Sequence, residues 1–376
     1  MYAELHCHSG FSLLDGASNP EDLVARAATI GMPAVALTDH DDLGGAVRWA
    51  EAGREHGVAA IVGVELTVVS EADTDPDGGA TSGRLRTRRP APCVPSDGRS
   101  APGSPRGSAA GEGTSHLTLL AMTDTGYRNL SRLVSLARSG ERGAPAVAWD
   151  DLERHAEGLF CLTGCPHGEV PRRLARGDEA GARERLGWLA EVFRGNVAVE
   201  CWDHSLAGER AVVPDLLAIA GACELPWLVT NDVHYATPKG RLVHDVLTCL
   251  RHGTTLDAAA TLLRPNGEWF LKRPERLAHR WRHYPEGLAA TLAVAERCAF
   301  RMGQLTPALP AFPTPPGIDA ADYLASLVAA GARERYGDRL TERHRQQVRH
   351  ELDVIRRLGL AGYFLIVWDI VREASR

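Results

Sequence analysis

The sequence predicts an α/β fold that suits a closed β/α barrel better than an open sheet. Three observations carry this: short apolar runs with strand character alternate with runs of helical spacing, at least seven strand-like runs precede residue 235, and metal-ligand side chains recur where those runs end. Tyr2 to His8 reads as the first strand. Ser18-Asn19-Pro20-Glu21-Asp22 then supplies a cap, a first-turn proline and first-turn acids for a helix ending near Gly31. Pro33 to Thr38 is a second strand, Gly45 to His56 a helix that Gly57 can stop, and Val58 to Val69 a third strand. Further along, Thr125 to Arg138, Glu179 to Phe193 and Glu209 to Cys223 have helical spacing. Gly158 to Thr163, Val197 to Trp202 and Leu225 to Thr230 read as strands between them.

The alternation breaks at Glu71 to Ser115, where 20 of 45 residues are Gly, Pro or Ser and none is aromatic, a composition that cannot build a core. Residues 71–115 are expected to be a disordered surface insertion, with the Arg84 to Arg89 run solvated and strand text resuming at His116. The barrel is expected over 1–70 and 116–285. A connector follows over 286–317, proline-rich from Ala308, and then a charged helical stretch over 318–376. The apolar segment Gly362 to Val371, with neither a closing turn nor a partner strand, suggests the N-terminal part of a longer protein.

Composition excludes several classes. With 44% apolar and 24% charged residues, and no apolar run near the ~20 residues of a membrane span, an integral membrane protein is not expected. Met1 to Leu5 has no secretory character, so a cytoplasmic protein is expected. Eight scattered cysteines without CxxC pairs read as reduced thiols, not a disulfide scaffold or zinc finger. The net charge of −6 gives no overall basic footprint, so any nucleic-acid contact must be local. Neither a GxxxxGK[ST] loop nor a GxSxG elbow is present.

The chemistry sits in short patterned groups. His6 and His8, two apart on a strand, share a face and can grip one metal, although a bare HxH is equally a pair of structural histidines. Asp15 follows in the next loop, and His40 closes the second strand in Thr38-Asp39-His40. Glu65, in the apolar Gly63-Val64-Glu65-Leu66, needs a partner, either an arginine or bridged cations. His116 opens the strand after the insertion. Cys165 leaves another strand, and its soft thiolate favours a transition metal over magnesium. Asp232 and His234 repeat the i, i+2 geometry. Nine candidate ligands at strand ends, five histidines, two aspartates, one glutamate and one cysteine, exceed one tetrahedral ion and imply two or three, the arrangement used to hydrolyse phosphate esters. Cys161, Cys201, Cys223, Cys249 and Cys298 read as small core residues and Cys7 as alternating away from the histidine face, while His167, His204 and His244, near presumed strand ends or ligands, read as solvated or structural ahead of a role supporting a ligand.

His6-Cys7-His8-Ser9, Leu14-Asp15-Gly16-Ala17-Ser18, Leu37-Thr38-Asp39-His40, Gly63-Val64-Glu65-Leu66 and Asn231-Asp232-Val233-His234-Tyr235 resemble the polymerase-and-histidinol-phosphatase (PHP) domain. More narrowly they resemble its version at the N-terminus of bacterial C-family DNA polymerases, the polymerase III alpha subunits. The likeness extends through His244 to Cys249, Ala295 to Cys298 and Leu358 to Ile370, and leaves out only the insertion. Tyr2 to Cys7, Asp15 to Glu21 and Leu263 to Glu268 are most similar to the error-prone branch.

The resemblance implies a distorted (β/α)7 barrel with its metal site at the C-terminal strand ends, followed by the helical start of a polymerase core over 318–376. It implies metal ligands at His6, His8, Asp15, His40, Glu65, His116, Cys165, Asp232 and His234, the set that strand-end reasoning selects. Glu65, Asp232 and His234 are the candidate catalytic residues. Two or three divalent ions are expected, zinc or manganese first, with iron or magnesium also compatible. The implied activity is DNA-directed DNA polymerisation for damage-tolerant synthesis by the longer protein, with 3′→5′ exonuclease or phosphoesterase chemistry in this part, which lacks the polymerase aspartates. DNA primer-template, a sliding clamp and other replication or repair proteins are the implied partners, and no membrane. Two other readings stay open: a stand-alone phosphoesterase acting on a small phosphorylated metabolite, and a non-catalytic module braced by metal.

Overall fold

The computed structural model describes residues 1–69, 113–140, 143–303 and 311–375. The insertion expected at 71–115 therefore lies outside the described residues as far as Glu112. The chain divides into two compact units, Met1–Gln304 and Leu305–Arg376.

In the first unit, α1 (Pro20–Thr29) starts behind Asn19 with Pro20 at its first position and Glu21 and Asp22 in its first turn, where acids complement the helix dipole. It leads to β1 (Ala34–Leu37), α2 (Ala46–His56) and β2 (Ala59–Val69). Gly57 ends α2 at φ +68°, a left-handed conformation that glycine adopts without a Cβ penalty. Next come β3 (Thr114–Ala121), α3 (Asp124–Arg138), α4 (Trp149–Arg154), β4 (Leu159–Leu162), α5 (Glu169–Ala175) and α6 (Glu179–Val192). β5 (Val197–Cys201), α7 (Ala207–Ala222), β6 (Trp227–Val229), α8 (Arg241–His252), α9 (Pro274–Arg280) and α10 (Pro285–Arg297) complete the unit.

The six strands form one sheet in sequence order. β1 and β2 are parallel, as are β4, β5 and β6, whereas β3 runs antiparallel to both of its neighbours. A barrel built only of β/α units would be parallel throughout; β3 departs from that, with Val69 paired to Thr114 across an antiparallel ladder. Strand pairing also begins at Thr114, two residues before the expected start at His116.

Tyr2 to His8 is not a regular strand, so the expected seven strands become six and a stitched seventh. Glu4 bridges Val35 and Cys7 bridges Val233. On one side the Ala36 and Thr38 amides donate to the Glu4 and Cys7 carbonyls, both at 2.8 Å; on the other Val233 N donates to His6 O at 2.9 Å and His8 N to Val233 O at 2.7 Å. The segment thus joins β1 to the residues beyond β6 and closes the barrel.

Inside, Ala3, Leu5, Ala34, Ala36, Ile61, Leu120, Phe160, Leu162, Ala198 and Leu228 form one buried cluster together with Val294, Ala295 and Cys298 of α10 and the turn after it. The Ala3 amide donates to Thr291 Oγ1 at 3.1 Å. Part of the span read as a connector is therefore a helix integral to the barrel core. The seven described cysteines are free, and all but the half-buried Cys223 are buried.

In the second unit, α11 (Ala320–Tyr336), α12 (Glu342–Arg357) and α13 (Ala361–Ala374) pack around Leu324, Ala361 and Leu365. Asp319 caps α11 by accepting from the Asp322 amide at 2.7 Å. The apolar Gly362 to Val371 segment is helical. Among the described residues, no helix is long and apolar enough to cross a membrane.

If α10 belongs to the core, Val294→Asp will bury an unpaired carboxylate and lower stability by about 3 kcal/mol. Thermal unfolding of the barrel checks this; an unchanged midpoint would make α10 a passive connector.

Candidate metal centre

The rim of the barrel is built before any ligand is placed on it. Asp39 is buried and acts as a post for the loop that carries Asp15: Ser9 N and Oγ donate to it at 2.6 and 2.7 Å, and Ser12 Oγ at 2.7 Å. Ser12 Oγ in turn accepts from the His40 amide at 3.0 Å. Gly16 is required here, because a Cβ would stand 1.8 Å from the Ser9 carbonyl oxygen. Across the barrel, Asp232 has φ +41°, a strained conformation for a residue with a side chain. Its neighbour Asn231 is clamped: the amide donates to Glu4 Oε1 at 3.2 Å, Nδ2 donates to the Glu268 and Phe270 carbonyls at 2.9 Å each, and Oδ1 accepts from Lys272.

Glu65 occupies the middle. Its Oε1 lies 3.4 Å from His6 Nε2 and 3.2 Å from His116 Nδ1, and its Oε2 lies 3.6 Å from His8 Nε2 and 2.8 Å from His40 Nδ1. Asp232 Oδ1 stands 3.7, 3.4 and 3.1 Å from Nε2 of His6, His8 and His234. Asp15 Oδ2 approaches His40 Nε2 at 3.3 Å and His234 Nδ1 at 2.9 Å. Four overlapping groups could each hold an ion: His6, His8 and Asp232; His8, Asp15 and His40; Asp15, His234 and His244; and His40, Glu65 and His116.

The chemistry of these donors fits a cation. Asp15 Oδ2, His40 Nε2, Glu65 Oε1 and His234 Nδ1 are buried without a hydrogen-bond partner, although they stand close to one another. Ligand atoms crowded together without hydrogen-bond geometry converge on a shared space, an arrangement that is costly unless a charge sits among them. Burial pushes the Asp15, Glu65 and Asp232 carboxyls upward, but the surrounding histidines outweigh it and hold all three well below the usual carboxylate range. Burial, with His40 and His234 nearby, lowers His8 to about 3, so its imidazole is neutral and has a free lone pair. Burial likewise opposes the charge on His40, yet Glu65 and Asp15 raise it to about 10. A divalent ion bound among these atoms would displace such protons.

The structure brings eight of the nine expected ligands into the four groups. The ninth, Cys165, sits at the edge, its Sγ 3.5 Å from His116 Nδ1. Burial, followed by Glu65, pushes its thiol well up. His204 is structural: it bonds Glu209 and the Asn231 carbonyl and stacks on Trp269. His244, set aside as structural, instead points Nε2 at Asp15 Oδ1, 3.6 Å away. The supporting residues escape sequence reasoning. Glu200 Oε1 bonds His6 Nδ1 at 2.7 Å and orients the ring, although 194 positions separate the two. Arg264, stacked over Trp269 at 4.3 Å, donates to Nε2 of His234 at 2.7 Å and of His244 at 3.2 Å. A buried carboxylate in the strand Val197–Cys201 was the available signal for Glu200; Arg264 had no pattern of its own.

A mixed-direction β/α barrel with three carboxylates and five or six histidines converging at one rim defines a class of barrels whose rim could hold metal. Residues 4–204 match the PHP domain family, and the chain belongs to it. Residues 322–376 match the bacterial DNA polymerase III alpha NTPase domain. The chain is 38% identical over 394 residues to an error-prone DNA polymerase of Symbiobacterium thermophilum, covering 99% of this chain and 32% of the relative. The corresponding protein of Mycobacterium bovis is 39% identical over 379 residues, with 99% and 31% covered. DNA polymerase III subunit alpha of Treponema pallidum is 35% identical over 377 residues, with 100% and 30% covered. The chain thus spans about a third of the length of these relatives. Among solved structures, an amidohydrolase from Chromobacterium violaceum aligns with TM-score 0.37 and 16% identity, covering 62% of this chain and 88% of that one.

Glu200→Gln is expected to weaken divalent-metal affinity by about 10–100-fold, measured by competition with a chromogenic chelator, because the His6 ring loses its anionic anchor. A second expectation concerns Lys272, whose ammonium burial lowers to about 8. A folded-state value below the unfolded one means the unfolded chain binds more protons between about pH 8 and 10.4, so this group makes stability rise with pH across that window. Urea midpoints of wild type and Lys272→Met should converge or diverge there accordingly, the variant lacking the rise.

Proposed function

We propose that the barrel is a phosphodiesterase centre of two or three divalent cations that removes nucleotides from a DNA 3′ end, within an error-prone DNA polymerase of the polymerase III alpha type used in damage-tolerant synthesis. The observation that carries the reading is the overlap of the four ligand groups through His8, Asp15 and His40, which suits neighbouring ions more than one isolated ion. The likeness to error-prone polymerases over nearly the whole chain supports the DNA context. On this reading the longer protein acts on primer-template, and residues 322–376 begin its polymerase core.

His6, His8, Asp15, His40, Glu65, His116, Cys165, Asp232 and His234 would hold the ions, with His244 beside them. Zinc and manganese suit this mixed set first, with iron and magnesium also compatible. What bound cations supply is activation of water near neutral pH and neutralisation of phosphate charge. The chain's own groups do the rest. Glu65 and Asp232, each within reach of three or more histidines, hold the cluster together. Arg264 presents a guanidinium to a phosphate oxygen from the pocket wall. His234, set between Asp15 and Asp232, holds or moves a proton as the ester breaks.

The test is degradation of a 3′-labelled strand by purified chain with manganese or zinc. Release of labelled nucleotide should stop with chelator and fall by more than about a hundredfold in Asp232→Asn. Stoichiometric metal binding with no nucleotide release would make the cluster a structural brace.

A further inference from the structure

Beside the metal centre is a second cleft that the proposed chemistry does not use. It is lined by Asp203, Arg210, Arg276, His279, Arg280 and Arg282 and has a volume of about 520 Å³, against about 20 Å³ at the metal centre measured in the same way. The smaller space takes an ion and little more. The larger one is within the roughly 300–1,000 Å³ that small organic ligands fill.

Chain neighbours link the two cavities as a wall: Glu209 and Trp269 line the metal-centre pocket, Asp203 and Arg210 line the cleft, and Glu268, next to Trp269, ion-pairs with the cleft's Arg276 and Arg280. His204, next to Asp203, stacks on Trp269 with ring centroids 4.2 Å apart. A ligand crossing this wall would have one end among the ligand atoms and the rest among arginines.

The arginines outnumber their carboxylates. Asp203 accepts from Arg210 Nε at 3.1 Å and Arg280 Nη1 at 3.0 Å, and Glu268 accepts from Arg276 Nη2 at 2.7 Å. Glu268 also lies 3.7 Å from Arg280 Nη2. Arg282, exposed, makes no ion pair among the described residues; its guanidinium donates to the His279 carbonyl at 3.3 Å. Two acids thus face four guanidinium groups. Each guanidinium has five N–H donors, so one ion pair leaves most of them free while holding the plane in position. Fixed planar forks with spare donors suit phosphate oxygens. In a chain of net charge −6, this is a local positive surface, not part of a general one.

We propose that this cleft binds the phosphodiester backbone of a single-stranded nucleic acid whose 3′ end enters the metal centre. The proposal rests on the phosphodiesterase reading for the direction of the strand. It depends on size and charge for the ligand class: the cleft takes one or two units of a single strand and excludes a duplex. A single phosphate group would engage one or two of the four arginines and leave the others without an anion.

The test measures binding apart from turnover. A fluorescein-labelled dT20 is titrated with purified chain in chelator at several salt concentrations, and anisotropy is read for wild type and for Arg276→Gln/Arg282→Gln. Wild type should bind with a clear salt dependence. The double variant should bind at least about fivefold more weakly, with a log–log salt slope smaller by about 1.4, since each lost phosphate contact on a single strand removes about 0.7. Thermal unfolding checks that the variant is folded; if it is not, Arg282→Gln alone should reduce the slope by about 0.7. Equal binding by variant and wild type, or no binding by wild type, overturns the proposal. Equally tight binding of poly-glutamate overturns the assignment to nucleic acid. Nuclease assays separate the two readings: retained slope effects without cleavage would sink the phosphodiesterase and leave the cleft, whereas cleavage of dT20 unaffected by the variants would sink the cleft and leave the phosphodiesterase.

Discussion

Glu65 is buried, lies on a strand whose neighbours are apolar, and meets four histidines supplied by the N-terminal segment, the end of β1 and the start of β3. A carboxylate in such a place is tolerated only if positive charge or polar donors surround it, because removing an ion from water costs several kcal/mol even after relaxation. The arrangement of strands around it meets that requirement. The N-terminal segment has to lie between β1 and the residues after β6 for His6 and His8 to reach it. β3 has to run backwards for His116 to reach it from a strand beginning. The barrel's closure and its one reversed strand therefore follow from the same local demand.

The alternation of strand and helix, the closed barrel and the placement of ligands at one rim were legible in the sequence, because periodicity and strand ends are local properties. Direction and regularity were not. A period of two says which residues share a face, and nothing about which way the neighbour runs, so the reversal of β3 left no mark in the pattern. Tyr2 to His8 looked like a strand because its side chains alternate as one; its backbone pairs only at isolated bridges.

For the site, eight candidate ligands that the fold brings together stood out because histidine and carboxylate at strand ends are conspicuous in an apolar context. What orients them was not found, for a physical reason. Glu200, Glu4, Lys272 and Arg264 act through distant partners, and a buried hydrogen bond between positions far apart in sequence leaves no local pattern. His244 was misjudged for a related reason. It lies on α8, away from any strand end, and only the folding back of that helix sets it against Asp15.

The strained turn at Asp232 shows how the rim keeps its shape. A side-chain-bearing residue at positive φ costs of order 1–3 kcal/mol and persists only where its surroundings over-determine it. Here Asn231 is held by five hydrogen bonds, and two of them reach groups whose own burial is expensive: Glu4, which burial raises to about 7, and Lys272, which burial lowers to about 8. These groups would be poor choices for stability alone, because apolar residues of similar volume often serve as well. Placed where they are, they fix the backbone from which Asp232 and His234 project toward Glu65 and Asp15. The same left-handed backbone recurs at Leu14, φ +60°, beside Asp15, and at Asp41, φ +46°, beside His40, so three of the turns that carry candidate ligands are held in this conformation.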